Sequence, residues 1–411
     1  MHVRLILVAI MSSAALTAAA PTHAQDKGTV EPKALPPLAH PDDPSTPAKE
    51  LFARKLLPSA QPTKVIGTYN RGCIAGAGRM PINGEGWQVM RLSRNRNFGH
   101  PLMIALLKRL AARAHKDAGW PGILVGDIGQ PRGGPALSGH ASHQIGLDAD
   151  IWLTPMPEHR LSRNEREEMS AVMMVREDRL DVDPRVFTRG HLAVIRAAAQ
   201  EPSVQRIFVN AAIKKALCRD AKGDRGWLTK VRPWWGHDYH FHIRMLCPPG
   251  NPDCHGQTDQ EGGDGCNELD YWFSDAVLHP PPPKEPPKPP QPITMAQLPP
   301  SCRAVLHAPD AKNGAARHAE ERRGLALRFA RLAASRRKRD VCNRDDGPSQ
   351  VTMSRAAISL RDPFWPSPSC SGSASPRPPL SSRSPSVMPV SRPSRAAATS
   401  SNGTSRASVP H

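Results

Sequence analysis

The sequence predicts an α+β fold: an antiparallel sheet flanked by helices and stapled by disulfides. Three observations lead there. Strand-like and helix-like stretches are interspersed without the regular βαβ rhythm of a doubly wound sheet. Two segments, S-G-H-A-S-H-Q-I-G-L-D-A-D (138–150) and W-W-G-H-D-Y-H-F-H (234–242), concentrate histidine and aspartate and end in the period-two alternation of strands. The chain also begins like an exported protein, so its eight cysteines read as disulfides rather than thiolate metal ligands, and no C-x-x-C spacing argues otherwise.

Taken in order, M-H-V-R is a basic start, 5–19 is almost wholly apolar, and T-H-A ends at Ala24. These features define a secretory signal peptide over 1–24; Pro21 disfavours cleavage after Ala20. The run is shorter than the roughly 20 apolar residues that span a bilayer, and no other stretch qualifies, so no transmembrane segment is expected. Residues 25–64, rich in Pro, Ala and Lys, read as an extended lead-in, and the ordered domain is expected over 65–279.

From Pro101, which suits a first helical turn, Leu102, Met103, Leu106, Leu107 and Leu110 recur at helical spacing. G-I-L-V-G-D-I from Gly122 is a buried strand, and a glycine-rich loop follows it to His140. A strand ends at 151–153, Ser162 to Glu165 is a capping box, and a helix is expected over 191–200. R-I-F-V (206–209) is a strand, and Asn210 caps a helix to Leu217. Residues 280–310 form a polyproline strap, with eleven prolines in 280–300, ending near Cys302. The remainder, 311–411, is a basic Ser/Arg/Pro tail expected to be disordered.

The formal charge of +18 is uneven: from Ala311 onward 18 Lys and Arg stand against 6 Asp and Glu, a net +12 that leaves +6 for the rest. Export makes nucleic acid the weaker partner and an anionic cell-envelope polymer the better one.

In a strand, alternate side chains share a face. His240 and His242 therefore lie opposite Tyr239, Phe241 and Ile243, while Asp148 and Asp150 lie opposite Leu147, Ala149 and Ile151. Two such strands side by side, with His143 arriving from the preceding loop, would converge imidazoles and carboxylates on one point. A catalytic zinc takes three N/O ligands and keeps one position for water. A single H-x-H pair is commonplace without metal; two such clusters in one exported chain favour one zinc ion on the sheet. The pattern leaves His240 and His242 equal as ligands.

Residues 72–302 closely resemble the penicillin-insensitive murein endopeptidases, of the metallopeptidase group that includes lysostaphin-type and D-Ala-D-Ala peptidases and the hedgehog N-domain. The segments that carry this are R-G-C-I-A-G-A, F-G-H-P, G-G-P-A-L-S-G-H-A-S-H-Q-I-G-L-D-A-D-I, R-I-F-V-N-A-A-I-K-K-A-L-C, K-V-R-P-W-W-G-H-D-Y-H-F-H-I-R and G-D-G-C. The resemblance implies zinc ligation by His143, Asp150 and His242, with His240 beside the metal as base or transition-state stabiliser. It places His237, which could share the catalytic role, and His140 in support. Asp148 is either a carboxylate behind the ligands or simply a buried orienter of a histidine.

The resemblance also implies disulfides Cys73–Cys302, Cys218–Cys266 and Cys247–Cys254. Its implied activity is β-lactam-insensitive hydrolysis of the D-Ala to meso-diaminopimelate cross-link of peptidoglycan, in the periplasm, without a serine nucleophile. A D,D-carboxypeptidase on uncross-linked stems and a non-catalytic zinc-bearing wall-binding module are the alternatives. Arg132 and Arg244, next to the two motifs, are candidates to grip a substrate carboxylate. The tail from Ala311 lies outside the family pattern; it reads as the product of a GC-rich gene in a wrong frame, or as a basic extension that holds the enzyme on wall polymer.

Overall fold

The computed structural model describes residues 27–138, 141–258, 263–283 and 291–311. The expected signal peptide, the tail beyond 311, residues 284–290 of the strap and His140 lie outside them.

The lead-in is not extended throughout. It contains a short helix, α1 (Ala48–Phe52), because Ala48 and Phe52 fall one turn apart on a single face. That face is buried in a small cluster with Ile66, Cys73, Leu298, Cys302 and Val305. The hairpin β1 (Lys64–Thr68) and β2 (Arg71–Ala75) supplies one wall. Two short strands, β3 (Gly78–Arg79) and β4 (Asn83–Gly84), lead to β5 (Trp87–Val89) and β6 (Phe98–Gly99).

Helix α2 (Pro101–Ala118) has Pro at its start, His100 Nδ1 accepting from the Leu102 N–H, and Gly119 at φ 69° as a left-handed stop. Its Met103, Leu106, Leu107 and Leu110 are buried, while Leu102 points outward. After β7 (Ile123–Val125) and β8 (Asp148–Trp152) comes α3 (Arg163–Glu168), with both bonds of the expected capping box between Ser162 and Glu165. Then follow α4 (Arg189–Ala199), β9 (Val204–Val209), α5 (Ala211–Asp220) capped by Asn210, β10 (Val231–Pro233) and β11 (His240–Met245). Helices α6 (Asp275–Leu278) and α7 (Ser301–His307) close the described chain.

The fold is α+β, but its principal sheet is mixed rather than antiparallel. Seven strands run in the order β10-β9-β11-β8-β7-β5-β4. The centre, β9-β11-β8-β7, is antiparallel; β10 joins β9 and β5 joins β7 in parallel. Each parallel pair is bridged by a helix, α5 or α2, so two βαβ units sit at the flanks although no such rhythm shows in the sequence. Parallel neighbours cannot be joined by a tight turn, and here three of the four paired strands, β5, β7 and β10, have only three residues each.

One face of this sheet packs on α2 and α4. Ala149 and Ile151 from β8, and Phe241 and Ile243 from β11, join Leu106, Leu107, Val194 and Ile195 in the main core. Each fully buried side chain of this size contributes roughly 1.5–3 kcal/mol of transfer free energy, which fixes the register of the central strands. The opposite face carries the polar residues.

All three expected disulfides are present. Cys73–Cys302 joins β2 to α7, Cys218–Cys266 ties α5 to the segment before α6, and Cys247–Cys254 closes a short loop after β11. Among the described residues no helix is long and apolar enough to cross a membrane.

Candidate metal centre and catalytic cleft

The antiparallel register sets the site. His242 lies directly opposite Asp150 on one side and Phe208 on the other, and Arg244 lies opposite Asp148 and Arg206. Opposed residues in neighbouring strands point to the same face. Three strands thus lay down two cross-strand rows: Asp150, His242 and Phe208, then Asp148, Arg244 and Arg206.

His143 enters from the loop before β8 with φ 67°, a left-handed backbone that is costly for a side chain other than glycine. Two bonds hold it there. Its N–H donates to Asp148 Oδ2 at 3.0 Å, and its Nδ1 lies 3.0 Å from the Ile128 carbonyl. That carbonyl requires a proton on Nδ1, so Nε2 is the ring atom that faces Asp150 Oδ2, at 3.3 Å. Gly146 makes the turn into β8 at φ 69°, where a β-carbon would fall 2.9 Å from the Gly99 Cα.

His242 is fixed from behind: its Nε2 lies 2.9 Å from Asp148 Oδ1, and its Nδ1 lies 3.0 Å from Asp150 Oδ1. Asp148 Oδ1 also accepts from Arg244 Nε at 2.8 Å, and the Arg244 guanidinium is sandwiched between Tyr69 (4.1 Å) and Phe208 (5.1 Å). Asp148 is a fully buried carboxylate that bonds the His242 ring and the His143 backbone N–H together, a geometry that fits both readings of it.

One donor atom each from His143, Asp150 and His242 lie within 4.8 Å of one another, and all three residues are buried. Two imidazoles and one carboxylate could hold a divalent ion, and the local electrostatics suit one. Burial alone would push the His143 pKa down, but the carboxylates Asp150, Asp148 and Asp127 outweigh it and raise it to about 9. The convergence point attracts positive charge. Asp148 shows the converse: burial opposes its ionisation, yet Arg244 and His242 hold its pKa below the usual carboxylate range.

His240 lies on the same face, its Nε2 3.8 Å from Asp150 Oδ1. His237 comes from the loop before β11 in a left-handed conformation (φ 54°). Its Nδ1 lies 2.8 Å from the Trp235 carbonyl, and the loop is tied to the Asn210 cap, whose N–H donates to the His237 carbonyl and whose Nδ2 donates to Gly236. The His237 and His240 rings are 4.7 Å apart. Burial first, then the neighbouring imidazoles His240 and His242, keep the His237 pKa well below its ordinary value, so its Nε2 is an unprotonated base at neutral pH. Both histidines line a cleft of roughly 830 Å³, shared with Tyr69, Arg94, Arg206 and Trp234.

Some expectations change. Tyr239 does not join Phe241 on the apolar face; β11 starts only at His240, so Tyr239 turns into the cleft, its ring 4.6 Å from that of His240. Burial, and then the nearby Asp150, raise its pKa to about 12, which keeps it a phenol. Arg132 is neither solvated nor in the cleft. It is 1% exposed and donates to the Val305, Leu306 and Ala308 carbonyls and to Asp310, capping the C-terminal end of α7. Arg244 does line the cleft, but its Nε is committed to Asp148.

Asp127 has no spacing that links it to either motif, and only the fold reveals its place. Its carbonyl accepts the Asp150 N–H, and its carboxylate is ion-paired with Arg94 (3.2 Å) and Arg96 (2.8 Å). A lone acid just past a buried strand was its sole signal in the sequence.

Fold and site together define a class: an α+β protein with a buried group of two imidazoles and one carboxylate able to hold a metal ion, at the floor of an open cleft with further histidines beside it. Comparison with known proteins narrows the class. Residues 65–307 match the family model described as penicillin-insensitive murein endopeptidase. A protein of that name from Haemophilus influenzae is 46% identical over 250 residues, covering 60% of this chain and 83% of the relative. Namesakes from Klebsiella pneumoniae (43% over 242 residues; 59% and 85%) and Pectobacterium atrosepticum (42% over 251 residues; 61% and 86%) are similar. The chain belongs to the penicillin-insensitive murein endopeptidase family.

Proposed function

We propose that the chain is a zinc-dependent endopeptidase of the periplasm that hydrolyses the D-Ala to meso-diaminopimelate cross-link of peptidoglycan. The observation that carries this reading is the convergence of His143, Asp150 and His242 on one point in the cleft, with His237 and His240 beside it. Family membership supports the reaction and the polymer. Three disulfides and the export-type N-terminus support an oxidising compartment.

His143 would ligate through Nε2, His242 through Nδ1, and Asp150 through its carboxylate, since the opposite ring nitrogens are engaged by Ile128 and Asp148. Zinc, when bound, supplies a Lewis acid for the scissile carbonyl and brings the pKa of a coordinated water near 7. The chain itself supplies the proton traffic. His237 is held in one tautomer by the Trp235 carbonyl and presents a neutral Nε2 that can take a proton from the attacking water and return it to the leaving amine. His240 stabilises the developing oxyanion from the same face. No serine acylates in this scheme, so β-lactams, which acylate a serine, leave it untouched.

The test compares cross-linked dimeric with uncross-linked monomeric muropeptides, with and without a chelator. Chelator-sensitive loss of dimers with monomers intact supports an endopeptidase. Release of terminal D-Ala from monomers alone would make the chain a carboxypeptidase, and zinc binding without cleavage would make it a wall-binding module.

A further inference from the structure

We propose that the exposed rings of Trp234, Trp235 and Tyr271, with the half-buried Trp272 between the last two, form a carbohydrate-stacking subsite that seats the glycan strand beside the cleft. The inference rests on the reading above only in taking peptidoglycan, a peptide-bearing amino-sugar polymer, as substrate. Aromatic residues make up 5% of the chain. Among the described residues the large aromatics that stand out into solvent are Trp234 (52% exposed), Trp235 (53%) and Tyr271 (62%). Trp234 and Trp235 both line the cleft, and two further rings continue outward from Trp235. The Trp235 ring lies 5.0 Å from Trp272, which lies 5.7 Å from Tyr271. Trp234 packs at 5.5 Å on Phe208, itself 5.5 Å from the His242 ring. A continuous path of rings thus runs from the metal-ligand group to the protein surface.

Exposed indoles leave large apolar area in water, and a contiguous patch of them marks a binding surface. The backbone beneath is fixed: the Trp234 N–H donates to Val209, the Ser274 hydroxyl donates to Tyr271, and the Cys218–Cys266 bridge anchors the chain just before Tyr271. Flat, preorganised rings with indole N–H and phenol O–H at their edges suit a pyranose, whose axial C–H face stacks while its hydroxyls and acetamido groups bond at the rim. Binding a part of the substrate remote from the scissile bond is how such a patch would serve the reaction.

The test uses the full chain with Tyr271→Ala, Trp272→Ala and Tyr271→Phe, on intact sacculi and on glycan-free cross-linked peptide dimers. We expect each alanine variant to raise KM on sacculi about three- to tenfold, with the peptide dimers affected less than about twofold. Tyr271→Phe, which keeps the stacking face, should stay near the parent. Titration with a β-1,4-linked N-acetylglucosamine hexamer should quench the tryptophan fluorescence of the parent, and that of Trp272→Ala only at about three- to tenfold higher hexamer concentration. Equal losses on both substrates, or no loss on sacculi, would overturn the proposal. If Trp272→Ala does not fold, Tyr271→Ala, at a highly exposed side chain, decides the matter. Parent protein that binds the hexamer but cleaves neither substrate would refute the endopeptidase reading and leave the subsite standing.

Discussion

Asp148 ties together both histidines of the candidate metal group. Its two oxygens engage the His242 ring, the Arg244 guanidinium and the backbone N–H of the strained His143. Asp148→Asn keeps the volume but removes the charge and one acceptor, so His242 loses its orienting partner. Zinc affinity should fall about 10- to 100-fold, the usual cost of losing such support, measured by competition with a chromophoric chelator. His240→Ala separates binding from chemistry: the variant should keep its zinc and lose about 10²–10⁴ in kcat on dimeric muropeptides. Full activity in the zinc-loaded variant would remove His240 from the mechanism. Alternation along 148–150 and 240–242 made these residues legible in the sequence, because a two-residue period is a property of the local chain. The roles of Asp127, Tyr239 and Arg132 were not legible, since each is set by a partner segment far away in sequence or, for Tyr239, by where the strand happens to begin.

At the scale of elements, two helix starts carry consequences for the site and for stability. Asn210 caps α5 through Oδ1, which accepts the Ala212 N–H, while its Nδ2 holds the Gly236 carbonyl next to His237. Asn210→Ala should cost about 1–2 kcal/mol by chemical denaturation and, on the proposed mechanism, lower kcat as well, because the His237 loop loses its tether. Helix α4 begins with His191 at the third position of a capping box, its Nδ1 accepting from the Thr188 N–H and its Nε2 bonded to the Leu153 carbonyl. Burial pushes its pKa down to about 4. The unfolded chain, with an ordinary histidine, therefore binds a proton between pH 6.5 and 4 that the folded chain does not. Stability should be complete above that window and fall as pH drops through it, by an amount on the order of 3 kcal/mol for this group. Comparing melting temperatures of parent and His191→Gln across pH 4–7 isolates the term: the variant should show the shallower loss. The Ser162–Glu165 capping box, the helix periods and the central strands could be read from the sequence because their signals lie within a turn or two. The parallel flanks of the sheet could not, since β5 and β10 have three residues each and acquire their pairing only from the fold.

At the scale of the whole molecule, the Cys73–Cys302 bridge holds a second, smaller core in place. Helices α1 and α7 come from opposite ends of the described chain, yet Phe52, Val305 and Leu306 pack together over β2 with the disulfide at the centre. Arg132 adds a buried clasp, donating to the last carbonyls of α7 and pairing with Asp310. The bridge spans 229 residues of sequence, and closing so long a loop removes a large share of the unfolded chain's freedom. In the chain-entropy model this is worth roughly 5–5.5 kcal/mol, and measured losses run lower, so Cys73→Ser with Cys302→Ser should lower unfolding free energy by about 2–5 kcal/mol. Because this cluster stands apart from the metal-ligand group, the double variant should keep zinc affinity and, below its lowered melting temperature, most of its kcat. Hydrogen exchange should then show α1 and α7 opening ahead of the central sheet. Simultaneous loss of zinc affinity and of the small cluster would show instead that the two cores fold as one unit.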